Sequence, residues 1–258
     1  MRGFLTLAAL GCATLVFSQN VYVTTSGNAA IDTAVLALLT SRGMTGTIGV
    51  SAPGLNGSQD LTPFDVVYLQ PNANWASGTN PTAAGQTALI NFVNAGGGLV
   101  TAEWLMWGIG GASQEFRDLM PTTYVAFRGG SAFVEGSIVT ADPIVTQGLP
   151  ATFVSPLDNF SGIESNLVTK TGATTFVGSN YGSSTLNTST LLAGWQVGDG
   201  RVMNFSTLNG TSTLADPAMN TLIGNSLKWA AVPEPMTLSV LAMAGLVLAR
   251  RKKKAVRN

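Results

Sequence analysis

The chain has no histidine, and its one cysteine, Cys12, lies in the apolar stretch at the N-terminus. The first absence removes imidazole as general acid, general base or metal ligand. The second leaves the rest of the chain without a disulfide, a thiolate nucleophile or a thiolate metal site. No metal or cofactor is therefore expected. Charge is scarce too. Asp, Glu, Lys and Arg make up 10% of the residues, against about 25% in ordinary soluble proteins. Polarity comes instead from Ser, Thr, Asn and Gly. The formal net charge of zero conceals a segregation. Between residues 20 and 231 twelve acids outnumber six bases, giving −6, and the positive surplus lies at the C-terminus. A mildly acidic body without a basic stripe argues against a nucleic-acid partner.

The two ends read as addresses. Arg2 precedes an apolar run over 4–17 that contains no acid, and Ser18 and Gln19 begin a polar stretch. This is the pattern of a secretory signal peptide, residues 1–19, cut near Ser18 or Gln19. Ala9-Leu10-Gly11-Cys12 leaves a second reading open, in which Cys12 is lipidated. At the other end stand Val232-Pro233-Glu234-Pro235, then an uncharged segment over 236–249, then Arg250-Arg251-Lys252-Lys253-Lys254. Fourteen uncharged residues fall short of the roughly 20 that cross a bilayer upright; tilt, snorkelling or local thinning would cover part of the shortfall. The basic cluster would stay cytoplasmic, leaving Pro233 to Pro235 near the outer face.

The order of these three parts over 232–258 resembles a PEP-CTERM sorting signal. The matching residues are Pro233, Glu234 and Pro235, then Arg250, Arg251 and Lys252. The resemblance implies an exosortase as partner, transient residence in the inner membrane and removal of the tail. It further implies delivery of the body to the envelope surface or the extracellular matrix. An anchor that is never cut is the alternative.

The body, 20–231, is long enough for one domain with its own core. Val21-Tyr22-Val23 is an apolar run, and Asn28 is placed to cap a helix with apolar Ile31, Ala34, Val35, Leu38 and Leu39 on one stripe. Strands are predicted at 47–50, 64–69 and 98–102, the middle one apolar throughout its end as a buried parallel strand is. A helix opening at Pro81 and Thr82 closes at Ala95-Gly96-Gly97, read as a stop and turn. Strands at 137–140, 175–178, 191–197 and 201–205 follow, and Asp216-Pro217 opens a last helix. The β-α-β order predicts a three-layer α/β fold with a mainly parallel sheet and an antiparallel extension in the second half.

Phe64-Asp65-Val66-Val67-Tyr68-Leu69, with Leu89-Ile90-Asn91-Phe92-Val93-Asn94-Ala95-Gly96-Gly97-Gly98-Leu99-Val100, resembles the class I glutamine amidotransferase-like superfamily. Its trehalose-utilisation-type branch is the nearest in character. Asp142-Pro143-Ile144-Val145-Thr146-Gln147-Gly148-Leu149-Pro150 is similar to that branch's His-Pro-Ile … Gly-Leu-Pro segment. The implied fold is flavodoxin-like. The superfamily's amidotransferases place a Cys nucleophile after the Gly-Gly-Gly strand, with a His partner. Here Glu103-Trp104-Leu105 stands there, so Cys–His catalysis is impossible, and Asp142 replaces a His that could have held a metal.

Ligands of open α/β sheets bind beyond the C-terminal ends of the strands. The residues expected there are Asn72, Asn74 and Trp75, then Glu103, Trp104 and Trp107, then Asn209. Indoles cover the apolar faces of a sugar ring, while amides and a carboxylate bond its hydroxyls. The same residues also suit plain packing, with Trp104 and Trp107 as core aromatics. The expectation is a non-catalytic envelope or exopolysaccharide-matrix protein that binds glycan at this edge. The alternatives are a carbohydrate hydrolase using carboxylates alone, pairing Glu103 with Asp199 or Asp216, and a protein-interaction module.

Overall fold

The computed structural model describes residues 18–70, 79–128, 132–157, 164–180 and 189–231. Its first half alternates strand and helix: β1 (Asn20–Thr24), α1 (Ala29–Ser41), β2 (Thr45–Gly49), β3 (Val66–Leu69), α2 (Ala83–Asn94) and β4 (Gly98–Thr101). Two short helices follow, α3 (Leu105–Gly108) and α4 (Gln114–Leu119). Strands then dominate: β5 (Thr122–Arg128), β6 (Phe133–Ile138), β7 (Thr152–Pro156), β8 (Glu164–Thr169), β9 (Thr174–Ser179), β10 (Ser189–Val197) and β11 (Gly200–Phe205). α5 (Thr211–Ala215) and α6 (Pro217–Ala230) close the body.

Nine strands form one sheet in the order β2-β1-β3-β4-β11-β10-β9-β6-β7. From β2 to β11 every pairing is parallel, and from β11 to β7 every pairing is antiparallel. Among the described residues, β5 and β8 pair only with each other. The fold is thus the flavodoxin-like α/β sandwich with an antiparallel extension that the sequence implies.

Alternation along the parallel strands explains the layers. Val21, Val23, Val66, Tyr68, Val100, Met203 and Phe205 point to one face, where α1, α5 and α6 cover them. Tyr22, Val67, Leu69, Leu99 and Val202 point to the other, against α2, α3 and α4. Strands buried on both faces need apolar residues throughout, and β3 is Val-Val-Tyr-Leu with all four buried. The helix signals also hold. Asn28 accepts the Ala30 N–H, Thr82 the Gly85 N–H and Asp216 the Met219 N–H, each capping its helix. After α2 the chain turns through Gly96 at φ +102°, a conformation that suits glycine.

Three strands escaped prediction. β7 buries Phe153 and Ser155 but exposes Val154, and it ends on Pro156, so its apolar pattern is inverted. It survives as an edge strand, where a proline breaks no ladder. β5 and β8 expose Val125 and Val168 and lie outside the main sheet. The strand expected over 137–140 runs instead over Phe133–Ile138, because its first half pairs with the unforeseen β7.

Candidate functional site

β1 leads through α1 to β2 on its left, whereas β3 leads through α2 to β4 on its right. The two helices lie on opposite faces. The crevice beyond the C-terminal ends of β1 and β3 is therefore the topological switch point, where doubly wound sheets take ligands. Asp32, in the first turn of α1, organises it. Its Oδ1 accepts the Ser26 N–H at 2.8 Å, the Ser26 hydroxyl at 2.8 Å and Gln70 Nε2 at 3.0 Å. Its Oδ2 accepts the Thr25 hydroxyl. A helix N-terminus with free donors attracts anions. Here the protein's own carboxylate holds that place, so a phosphate would meet a like charge and donors already in use.

The second component is an elbow after β4. Glu103 is fully buried, and its N–H donates to the Thr207 carbonyl at 3.1 Å, joining the ends of β4 and β11. Trp104 follows at φ 71° and ψ −39°, and it is the one non-glycine residue with positive φ among the described residues. This lies near the rare γ-turn region and is strained for any residue with a Cβ. Its carbonyl accepts the Gly108 N–H at 3.0 Å and starts α3. The indole of Trp104 is 7% exposed and that of Trp107 43%, and the rings meet edge-on at 5.8 Å. Asn80 Nδ2 fastens the far end of α3 through the Gly108 carbonyl at 2.6 Å. Among the described residues, the most exposed aromatic at this edge is therefore Trp107, packed edge-on against Trp104.

The third component is a buried polar floor. Asn209 Nδ2 donates to the Tyr68 hydroxyl at 2.7 Å. Burial holds that phenol far above its ordinary range, with the Asn209 bond opposing in part, so Tyr68 stays protonated. Gln70 Oε1, Ser206 Oγ, Thr207 Oγ1 and Asn209 Oδ1 are buried and have no hydrogen-bond partner among the described residues. All four follow β3 or β11 at their C-terminal ends. Deeper in the same sheet the pattern reverses. Asn204 accepts from the Thr122 hydroxyl at 2.5 Å and donates to Thr101 Oγ1 at 2.8 Å, satisfying both ends of its amide. Other buried oxygens without a partner among the described residues include Asn80 Oδ1 near α3, and Asn166 Oδ1 and Ser179 Oγ in the antiparallel half. An unmet buried polar atom costs about 1–3 kcal/mol, so four at one mouth point to groups that a ligand or water supplies.

The structure brings Glu103, Trp104, Trp107 and Asn209 to one edge, as the sequence implied. Glu103 and Trp104 form its buried floor and Trp107 its rim. Asn72, Asn74 and Trp75 lie outside the described residues, as do Pro233, Glu234, Pro235, Arg250, Arg251, Lys252 and the apolar segment 236–249. Among the described residues no helix is long and apolar enough to cross a membrane. Asp32 and Tyr68 were missed, since neither stands at a strand end in the sequence. Asp142 bonds its own turn, accepting the Ile144 and Val145 N–H groups at 2.8 Å each. Among the described residues no three Asp, Glu, His or Cys side chains gather as metal ligands.

Strand register excludes one carboxylate pair. Glu103 is level with Thr207, while Asp199 precedes Gly200 at the start of β11. At about 3.3 Å per residue the two lie roughly 20 Å or more apart, against about 5–9.5 Å in glycosidases. Asp216 is engaged as the cap of α6.

No family model and no curated protein matches this chain by sequence. Solved structures do match in shape. A cytoplasmic protein of Salmonella typhimurium superposes with a TM-score of 0.60 at 13% identity, over 82% of this chain and 98% of its own. A ThuA-like protein from Bacteroides uniformis gives 0.57 at 15% identity, over 83% and 91%. The β-galactosidase of Bacillus circulans sp. alkalophilus gives 0.54 at 12% identity, over 83% of this chain but 31% of the enzyme. At such identities the likeness establishes the fold alone, a flavodoxin-like α/β fold that the ThuA-like protein shares.

Proposed function

We propose that this is an exported bacterial envelope or matrix protein whose body binds a neutral, hydroxyl-rich glycan at the elbow edge without cleaving it. The observation that carries the reading is the set of four buried oxygens, without a partner among the described residues, at the same strand-end edge as the part-exposed Trp107. Gln70 Oε1 and Asn209 Oδ1 are acceptors, and Ser206 and Thr207 hydroxyls act either way, so the ligand must bring donors. Sugar hydroxyls do so, and Trp107 offers a flat apolar face for the ring. Asp32 already fills the anion position, which disfavours phosphorylated ligands.

The absence of catalysis rests on chemistry. The elbow residue is Trp104, which carries no nucleophile, and the chain has no histidine to activate one. The solved structure of a β-galactosidase superposes on this chain over 31% of the enzyme's own length. A hydrolase using Glu103 is the competing reading. Co-sedimentation with exopolysaccharide from the producing cells separates the two, with reducing ends followed in the same tubes. Saturable binding that Trp107→Ala abolishes, without new reducing ends, supports the proposal. New reducing ends that Glu103→Gln suppresses overturn it.

Export rests on the two termini. Residues 1–19 read as a signal peptide and 232–258 as a PEP-CTERM tail for an exosortase, with transient passage through the inner membrane. Intact mass of the protein recovered from the envelope tests this. A species lacking both segments is expected, and a full-length one contradicts it.

A further inference from the structure

At the opposite end of the parallel strands, before β3 and β4 begin, lies a groove of about 580 Å³. Small-molecule sites span roughly 300–1,000 Å³. Leu61, Phe64 and Phe92 give the groove an apolar lining, and both rings are held in place. Phe64 meets Tyr22 edge-on at 5.3 Å. Phe92 lies against Gly97, where a Cβ would come within 2.4 Å of the ring. The charge here has one sign: Asp60 and Asp65 line the groove, and no Lys or Arg does. Asp60 Oδ1 accepts the Thr62 hydroxyl at 2.6 Å and the Thr62 N–H at 3.0 Å, bonds that lower its pKa and keep it ionised. Asp65 Oδ2 accepts the Asn20 N–H at 2.7 Å. Each carboxylate keeps its other oxygen without a partner among the described residues. The helices add to this field. α2 and α6 end at Asn94 and Ala230, and the residues that follow them, Ala95 and Ala231, line the groove. A helix C-terminus carries about half a negative charge. The last turn of α2 has no basic residue, and Lys228 in that of α6 is not part of the lining.

We propose that this groove binds a small organic cation, a primary ammonium carried on a flat apolar body. The body packs on Leu61, Phe64 and Phe92, and the ammonium meets Asp60 and Asp65. An ammonium brings three donors and no acceptor, which suits carboxylate oxygens that still lack a donor. The faces of the two rings attract the same charge. A neutral ligand of the same shape would leave both carboxylates unanswered, and an anion would be repelled. The wider field points the same way, since twelve acids stand against six bases over 20–231. The inference is independent of the glycan site, which lies at the other end of the strands and presents neutral groups.

The test is equilibrium dialysis of the protein at low salt against tryptamine, with tryptophol, its neutral hydroxyl counterpart, in parallel. Saturable uptake of tryptamine is expected with a Kd of roughly 0.1–1 mM, as suits a ligand of this size. Tryptophol should bind about tenfold more weakly, since the charge pairs and the ring–cation contact are lost. Asp60→Asn with Asp65→Asn should weaken tryptamine binding about fivefold or more, while each Asn keeps an acceptor for the Thr62 and Asn20 donors. Asn91→Lys sets a cation of the protein's own on an exposed position of the lining. It should weaken tryptamine by a similar factor and gives a second reading should the first variant misfold. Trp107→Ala should leave tryptamine binding unchanged. Tryptophol binding as tight as tryptamine's, or tryptamine binding that neither groove variant weakens, overturns the proposal. So does the absence of uptake, or uptake that Trp107→Ala abolishes, which would move the ligand to the other end of the strands.

Discussion

Replacing Trp104 by glycine and, separately, by alanine measures the strain stored at the elbow. Both variants lose the indole, which is 7% exposed, at a shared cost of about 3–5 kcal/mol. They differ in the Cβ. At φ 71° and ψ −39° a Cβ costs roughly 1–3 kcal/mol, which glycine escapes. Glycine in turn loses about 0.5–1 kcal/mol more backbone entropy on folding. The difference favours glycine by about 1 kcal/mol, the reverse of the ordinary ranking. Urea denaturation followed by circular dichroism reads it: with a slope of about 2 kcal/mol per molar, the glycine variant unfolds about 0.5 M later than the alanine variant. An alanine variant as stable as the glycine variant, or more so, would refute the claim that the elbow is strained.

Asp32→Ala removes the acceptor of four donors and should destabilise the fold by about 2–4 kcal/mol, read by the same assay. Tyr68→Phe deprives Asn209 Nδ2 of its acceptor and should cost about 1–2 kcal/mol at neutral pH. The same variant changes the pH dependence. Burial raises the Tyr68 pKa above its unfolded value of 10.0. Its contribution is therefore whole below pH 10 and lost as pH climbs above it, at about 1.4 kcal/mol per unit. Tyr68→Phe should flatten that alkaline decline in a series of denaturation curves, and an unchanged slope would contradict the assignment. Gly200→Ala would set a Cβ 2.2 Å from the Val93 carbonyl oxygen and 2.3 Å from that of Gly97. A loss of about 3 kcal/mol or more is expected, since backbone atoms of α2 and the turn after it cannot withdraw.

The parallel half was legible because its signals are local. β3 is apolar at every position, and Asn28, Thr82 and Asp216 cap helices whose stripes follow directly. The antiparallel half was less so. In β7 the outward residue is Val154 and an inward one is Ser155, which erases the period-two pattern. β5 and β8 earn their strand conformation from each other alone, a pairing of 122–128 with 164–169 that no local signal encodes.

The site divides in the same way. Glu103, Trp104, Trp107 and Asn209 could be found because they follow strands. The backbone strain at Trp104 could not, because tryptophan has no preference for positive φ. Asp32 was invisible as a site residue because it reads as an ordinary first-turn acid; its importance appears only once Gln70, from the neighbouring strand, reaches it at 3.0 Å.

The most direct test of the central claim is titration calorimetry of the protein with neutral oligosaccharides prepared from the envelope glycan of the producing cells. The titration is run at low and high salt beside Trp107→Ala. The account predicts saturable binding that is insensitive to salt, because the unmet groups are neutral oxygens, and that is lost with the exposed indole. Absence of binding, binding that Trp107→Ala leaves intact, or binding that salt abolishes would contradict it.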